Sequence, residues 1–265
     1  MSKLLKFLSL PNANIDEADV LILPIPYERT VSFKPGTAEA PGSILEVSDQ
    51  LELYEEDAGW SPFKHMTISV SEPFPDDNRL DEAEWHNSLS KRVASLPQDN
   101  LFIGLGGEHS LTPSLVAGRM TEPGTVLFFD AHADLRDSYQ GSKHSHACPV
   151  ARLLEQGHNV VMAGTRSICE SEVARVEQEK SISLFMDWDL RGKGQWEAFL
   201  QKVGSLEGPL YLSIDMDVFN PVVVPGVGTP QPGGFFWYQM IEVLETLFSR
   251  GKVNLRGVDI VEMVP

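Results

Sequence analysis

The apolar residues of this chain gather into short uninterrupted runs. Runs at 20–23, 66–70, 101–105, 126–130, 160–163, 182–185, 210–215 and 253–261 predict β-strands. Several lack a polar alternate, as strands covered on both faces should. Between the runs the period becomes helical. Trp85, Leu89, Val93 and Leu96 recur over 82–96 behind Asp81 as a cap, and 147–155 stops before Gly157. Trp196, Phe199, Leu200 and Val203 line one face of another helix, and Trp237, Met240, Ile241, Leu244 and Phe248 form a further stripe. These aromatic residues are assigned to the core and given no chemistry. Strands alternating with helices predict an α/β fold, a three-layer αβα sandwich around a mainly parallel sheet of about eight strands.

Three of the runs end in clusters of metal-binding side chains: Gly106-Gly107-Glu108-His109, Asp130-Ala131-His132-Ala133-Asp134 and Asp215-Met216-Asp217. In an open α/β sheet the ligand crevice lies beyond the carboxyl ends of the strands, so the clusters should converge there. If the chain stays extended, side chains two apart share one side, which would aim Asp130, His132 and Asp134 at one point and Asp215 with Asp217. One Asp-x-Asp after a strand is ordinarily a cap or a solvated turn; three clusters in one context predict a site. Imidazole with a majority of carboxylates suits Mn²⁺ among divalent ions. Six ligands are too many for one catalytic ion with an open position. They suit two ions about 3.5 Å apart, bridged by two aspartates and by water that serves as a hydroxide nucleophile.

Composition narrows the classes. The 265 residues, 42% of them hydrophobic, fit one domain better than two. A formal net charge of −17 without a basic stripe argues against nucleic acid and mildly favours a cationic substrate. The opening 1–10 is interrupted by Lys6 and stopped by Pro11, so no leader is expected, and no run reaches the length of a membrane span. Cys148 and Cys169 lack metal or redox spacing. A cytoplasmic protein that engages no membrane is the resulting expectation.

Beyond these clusters the chain contains Ser110, Ser145-His146, Ser213-Ile214-Asp215-Met216-Asp217, Pro225-Gly226-Val227-Gly228-Thr229-Pro230 and Val258-Asp259-Ile260-Val261-Glu262 in order. Together the segments resemble the ureohydrolases, the superfamily of arginase, agmatinase, formimidoylglutamase and guanidino-acid hydrolases, from about Pro24 to the end. The resemblance implies an arginase-like eight-stranded parallel sheet, two Mn²⁺ ions per chain and hydrolysis of a guanidino C–N bond. It implies that His109, Asp130, Asp134 and Asp215 hold one ion and Asp130, His132, Asp215 and Asp217 the other, with Asp130 and Asp215 as bridges. Asp134 would also help move a proton, His146 would shuttle protons with solvent, and Glu262 would accept a bidentate hydrogen bond from the guanidinium. His144 is read as a solvated loop residue, and His65, His86 and His158 as structural. Glu108 stands where many relatives carry Asp and is read as orienting the His109 imidazole. Val227 stands where many carry Thr.

The segments 36–45 and 142–148 look like those of agmatinase, and the Asn-x-His-Gly style loop of arginase is absent. The expected reaction is therefore agmatine to putrescine and urea, with a small cationic guanidino compound as partner. Other readings are guanidinobutyrate, guanidinopropionate, arginine or formimidoylglutamate as substrate, with Arg136, Lys143 or Arg166 meeting an acidic tail, or an inactive metal-binding assembly subunit. Resemblance further implies a homo-oligomer, trimer or hexamer, and a single domain over 1–265 without the terminal helix that relatives carry.

Overall fold

The computed structural model describes residues 5–265, so the first four residues of the opening segment lie outside the described residues. Eight strands form one parallel sheet: β1 (Val20–Ile25), β2 (Ile68–Val70), β3 (Leu101–Gly106), β4 (Thr125–Phe129), β5 (Asn159–Thr165), β6 (Ile182–Met186), β7 (Glu207–Asp215) and β8 (Lys252–Val261). Their order is β2-β1-β3-β8-β7-β4-β5-β6, and every adjacent pair is parallel. Each predicted strand is present, with ends displaced by a few residues.

Eight helices cover the two faces: α1 (Ala40–Val47), α2 (Glu82–Ala94), α3 (Thr112–Arg119), α4 (Pro149–Glu155), α5 (Glu170–Gln178), α6 (Asp187–Leu190), α7 (Gln195–Gly204) and α8 (Trp237–Arg250). On one side Trp85, Leu89 and Val93 of α2, Leu115 of α3 and Val150 of α4 pack with Leu23, Phe102, Phe128 and Tyr211. On the other, Phe199 and Val203 of α7 and Met240, Val243 and Leu247 of α8 pack with Leu127, Phe129, Val161 and Leu212. Successive residues of β4 thus enter different layers, as a period of two requires. This is the expected three-layer sandwich.

Asp81 starts α2 by accepting the Glu84 N–H at 2.8 Å, while the Glu84 side chain returns to the Asp81 N–H. The expected core stripe of α8 is corrected at two positions: Trp237 is 54% and Phe248 55% exposed. The helix buries Met240, Val243 and Leu247, so Phe248 is turned roughly 100° from the buried Leu247. Trp237 sits in the first turn and stacks on Phe219 instead of entering the sheet interface.

Candidate metal centre

The strands β3, β8, β7 and β4 are neighbours, and the predicted donors follow their carboxyl ends. β3 leads through Gly107 and Glu108 into a 3₁₀ turn that begins at His109. β8 is followed by Glu262, β7 ends at Asp215 and runs into a 3₁₀ turn holding Asp217, and β4 is followed by Asp130. Gly107 permits this convergence because a Cβ there would lie 2.0 Å from the Tyr27 carbonyl oxygen. Its own carbonyl accepts the Glu262 N–H at 2.8 Å, so three chain segments are laced together at one residue.

Five of the six predicted donors fall into two triads that share Asp130, His109 with Asp130 and Asp215, and His132 with Asp130 and Asp217, while Asp134 belongs to neither. His109 Nδ1 lies 3.0 Å from Asp130 Oδ2, 3.2 Å from Asp215 Oδ2 and 3.6 Å from Asp134 Oδ2. His132 Nδ1 lies 3.5 Å from Asp130 Oδ1 and 3.0 Å from Asp217 Oδ2. The two oxygens of Asp130 therefore face different triads. Asp215 faces the first through Oδ2, while its Oδ1 accepts the Asp217 N–H at 2.7 Å. Within the first triad, His109 Nδ1 and Asp130 Oδ2 are buried without a hydrogen-bond partner despite their proximity. Buried polar atoms that face each other without bonding suit a shared cation, and the imidazole and carboxylate donors fit a divalent one.

Extended alternation breaks at two of these positions, contrary to the sequence expectation. Asp134 has φ 47°, a left-handed conformation, and Asp217 lies on a 3₁₀ turn. Local hydrogen bonds do the bending: Asp130 Oδ1 accepts the His132 N–H at 2.6 Å, and Asp217 Oδ1 accepts the Ala131 N–H at 3.0 Å. Thr229 Oγ1 donates to Asp217 Oδ2 at 3.2 Å, which ties the 225–230 loop to the second triad. Val227 in that loop is buried and bridges Met263.

Close packing of acids shapes the protonation. Burial, then the neighbouring Asp130 charge, pushes Asp134 well above the usual carboxylate range; burial and the Asp217 and Asp130 charges do the same for Asp215. Burial alone would depress the two imidazoles, but the carboxylates override it and hold His109 up to about 9 and His132 up to about 12. Asp130 is also opposed by burial, yet the two imidazoles beside it keep it below its ordinary value.

The second nitrogen of His109 identifies residues that sequence reading left without a role. His109 Nε2 lies 2.9 Å from Ser213 Oγ, which donates to Asp259 Oδ1 at 2.7 Å. With Nε2–H given to Ser213, Nδ1 keeps its lone pair for the triad, a tautomer assigned from this network. The available signal was Asp259 itself, a fully buried acid inside an apolar strand and in register with Ser213.

Glu108, expected to orient that imidazole, does something else. Its Oε2 accepts the N–H groups of Arg29 and Thr30, and its Oε1 the hydroxyls of Thr30 and Ser110. Its direction is set by a side chain that reaches back across Gly107 to the loop after β1.

A cavity opens beside the first triad, lined in part by Asp134, Asp215, His146 and Glu262. Glu262 is 5% exposed and its Oε1 accepts the His109 N–H at 2.7 Å. Burial pushes its carboxyl up to about 8 despite that bond, with the Glu108 charge adding to the rise. Burial lowers His146, and the His132 and His109 imidazoles lower it further against a hydrogen bond that the ring donates to the Thr30 backbone. His144 lies away from this cavity, and its ring stacks on His86 at 4.9 Å, so it is packed where free solvation was expected. His86 is buried against Ser114, and His158 accepts the Gly124 N–H.

Among the three cations considered for an acidic tail, only Arg136 lines the cavity, where it stacks over Tyr139 at 5.0 Å. The Arg166 guanidinium instead donates to five carbonyl oxygens, those of Gly164, Asp217, Val218, Phe219 and Gln231. Lys143 is exposed and pairs with Asp137 at 3.7 Å. No helix among the described residues is long and apolar enough to cross a membrane.

Comparison with known proteins places these features in context. The Arginase family model matches residues 18–265. The chain is 36% identical over 257 residues to a protein of Synechocystis sp. named N(1)-aminopropylagmatine ureohydrolase, covering 94% of this chain and 82% of that one. It is 38% identical over 259 residues to the agmatinase of Pyrococcus horikoshii, covering 97% and 87%. The crystal structure of the agmatine ureohydrolase of Thermoplasma volcanium superposes with a TM-score of 0.79 at 29% identity, covering 96% of this chain and 84% of that one.

Proposed function

The chain belongs to the Arginase family, and from that premise we propose that it hydrolyses the guanidino C–N bond of agmatine, or of agmatine lengthened at its amine by an aminopropyl group, releasing urea. The observation that carries this reading is the pair of donor triads sharing Asp130 beside a cavity that Glu262 and His146 enter. Relatives named for both substrates supply the choice of tail.

His109, Asp130, Asp134 and Asp215 would hold one divalent ion and Asp130, His132, Asp215 and Asp217 the second, with Mn²⁺ the metal that the carboxylate majority favours. Two bound cations would supply an acidified water as nucleophile at neutral pH, which a guanidinium carbon needs because resonance makes it a poor electrophile. The Glu262 carboxylate, fixed through the His109 N–H, accepts hydrogen bonds from the guanidinium and holds its plane at the mouth of the first triad. That cation in turn favours the ionised form of a carboxyl that burial has pushed up to about 8. Asp134 accepts a proton beside the triads and returns it toward the leaving nitrogen. His146 exchanges protons between solvent and the cavity, since its ring reaches both.

Arg136 supports a second reading, a guanidino acid such as guanidinobutyrate or guanidinopropionate whose carboxylate would meet it. Urea release from agmatine, N(1)-aminopropylagmatine and these acids, measured on the Mn²⁺-loaded protein, separates the two. Agmatine or its aminopropyl derivative should be turned over fastest, and Arg136→Gln should leave that turnover within about threefold while abolishing any activity on the acids. Two bound ions with no urea from any compound would sink the enzyme reading and leave a metal-binding assembly subunit. The exposed Phe236, Trp237, Tyr238 and Phe248 on and beside α8 support a homo-oligomer, which light scattering would measure.

A further inference from the structure

We infer that Thr30, held by Glu108, is the positioning residue that sets the tautomer of His146, placing the proton on Nδ1 and the lone pair on Nε2. The inference rests on the reading of His146 as a proton carrier and adds how the ring is prepared for it.

The argument is a count of donors and acceptors. A threonine hydroxyl has one proton and two lone pairs. Thr30 Oγ1 lies 2.8 Å from Glu108 Oε1, 2.9 Å from the His146 backbone nitrogen and 3.2 Å from His146 Nδ1. The backbone N–H of His146 can only donate, which occupies one lone pair. As a carboxylate Glu108 can only accept: Oε2 takes the N–H groups of Arg29 at 2.7 Å and Thr30 at 2.6 Å, Oε1 takes the Ser110 hydroxyl at 2.6 Å, and these bonds, with that from Thr30 Oγ1, oppose the burial that raises the carboxyl. The Thr30 proton therefore goes to Glu108. One lone pair of Oγ1 remains, and Nδ1 must carry the hydrogen that meets it.

The other face of the ring follows. His146 Nε2 lies 3.3 Å from Ser32 Oγ, and both residues line the cavity. An unprotonated Nε2 takes a proton from solvent and gives the same proton to the departing amine, so the ring ends as it began, with Nδ1–H bonded to Thr30 throughout. With the opposite tautomer, Nε2 would already hold a hydrogen and could accept none.

The bonds within the loop itself do not need the hydroxyl, whereas the His146 N–H loses its acceptor in Thr30→Val and regains it in Thr30→Ser. The Thr30 N–H bond to Glu108 survives in Thr30→Val, and Arg29 still donates to Asp76, Asp77 and Leu80. Glu28 still accepts from Gly36, Thr37 and Ala38.

The test is a long-range ¹H–¹⁵N correlation spectrum of histidine-labelled protein loaded with Zn²⁺, with the His146 signals identified by their loss in His146→Gln. Neutral His146 should carry its hydrogen on Nδ1 in the wild type, shift to a mixture or to Nε2–H in Thr30→Val, and return to Nδ1–H in Thr30→Ser. With Mn²⁺ and agmatine, Thr30→Val should lose about tenfold or more in kcat with KM within about twofold, and Thr30→Ser should regain most of it. A hydrogen on Nε2 in the wild type, or a pattern and kcat unchanged in Thr30→Val, would overturn the proposal. If the wild type releases no urea, the functional reading fails, while the spectrum of the wild type still decides the tautomer.

Discussion

At the scale of single residues, Asp130 is the one donor whose two oxygens are divided between the triads, Oδ2 toward His109 and Oδ1 toward His132. Asp130→Asn removes a charge from both at once, so elemental analysis should find both ions depleted; two full equivalents per chain would contradict the sharing. His146→Ala removes no donor from either triad. It should keep both ions and lower kcat about 10²-fold or more, the usual scale for a lost acid–base group, and unchanged turnover would refute its proton role. Residue types at strand ends made these donors legible, because few buried sites tolerate so many acids without a cation. Thr30, Ser213 and Asp259 had no such mark as site residues. Their importance lies in partners that are distant in sequence, 116 residues in the case of Thr30 and His146.

At the scale of elements, continuous apolar runs disclosed every strand because strands covered on both faces need apolar residues throughout. A clear apolar stripe made helices such as α2 and α7 legible, whereas α1, α5 and α6 were not predicted. α3 escaped: Thr112 to Val116, Gly118 and Arg119 are all buried, so it has no polar stripe to set a period. The junction after β3 depends on Gly107. Gly107→Ala should destabilise the fold by about 1–3 kcal/mol or more through overpacking against Tyr27, and should displace His109 enough to reduce metal content. A thermal melt and elemental analysis report the two effects; a variant with both unchanged would show that the backbone gap is not needed.

For the whole molecule, the gathering of Asp134, Asp215 and two imidazoles makes ion binding and folding depend on pH together. The folded pKa values of Asp134 and Asp215 are raised, so their contribution to ion-free stability is present below the unfolded carboxylate values and is lost as pH rises through the folded ones. His109 and His132 are raised too, to about 9 and about 12, so cations must displace their protons and bind more tightly as pH rises. Both effects have one sign. The gain in Tm on adding Mn²⁺ should therefore grow between about pH 5 and about pH 8; a constant or shrinking gain would show that the triads do not bind the ions.

Strand positions, the layered α/β class and the candidate metal donors, five of which the fold gathers into two triads, were legible in the sequence by itself, since burial on two faces and the chemistry of metal donors each restrict residue type locally. Sheet order was not legible, and it decides that β3, β8, β7 and β4 are neighbours whose ends can meet. Tertiary structure also decided that Asp134 turns through a left-handed conformation, that Arg166 is consumed by carbonyl groups, and that Glu108 serves Thr30 in place of His109. The physical reason is common to all three. A side chain's type states what bonds it can make, but which it makes depends on the unsatisfied donors and acceptors that folding brings within about 3 Å of it.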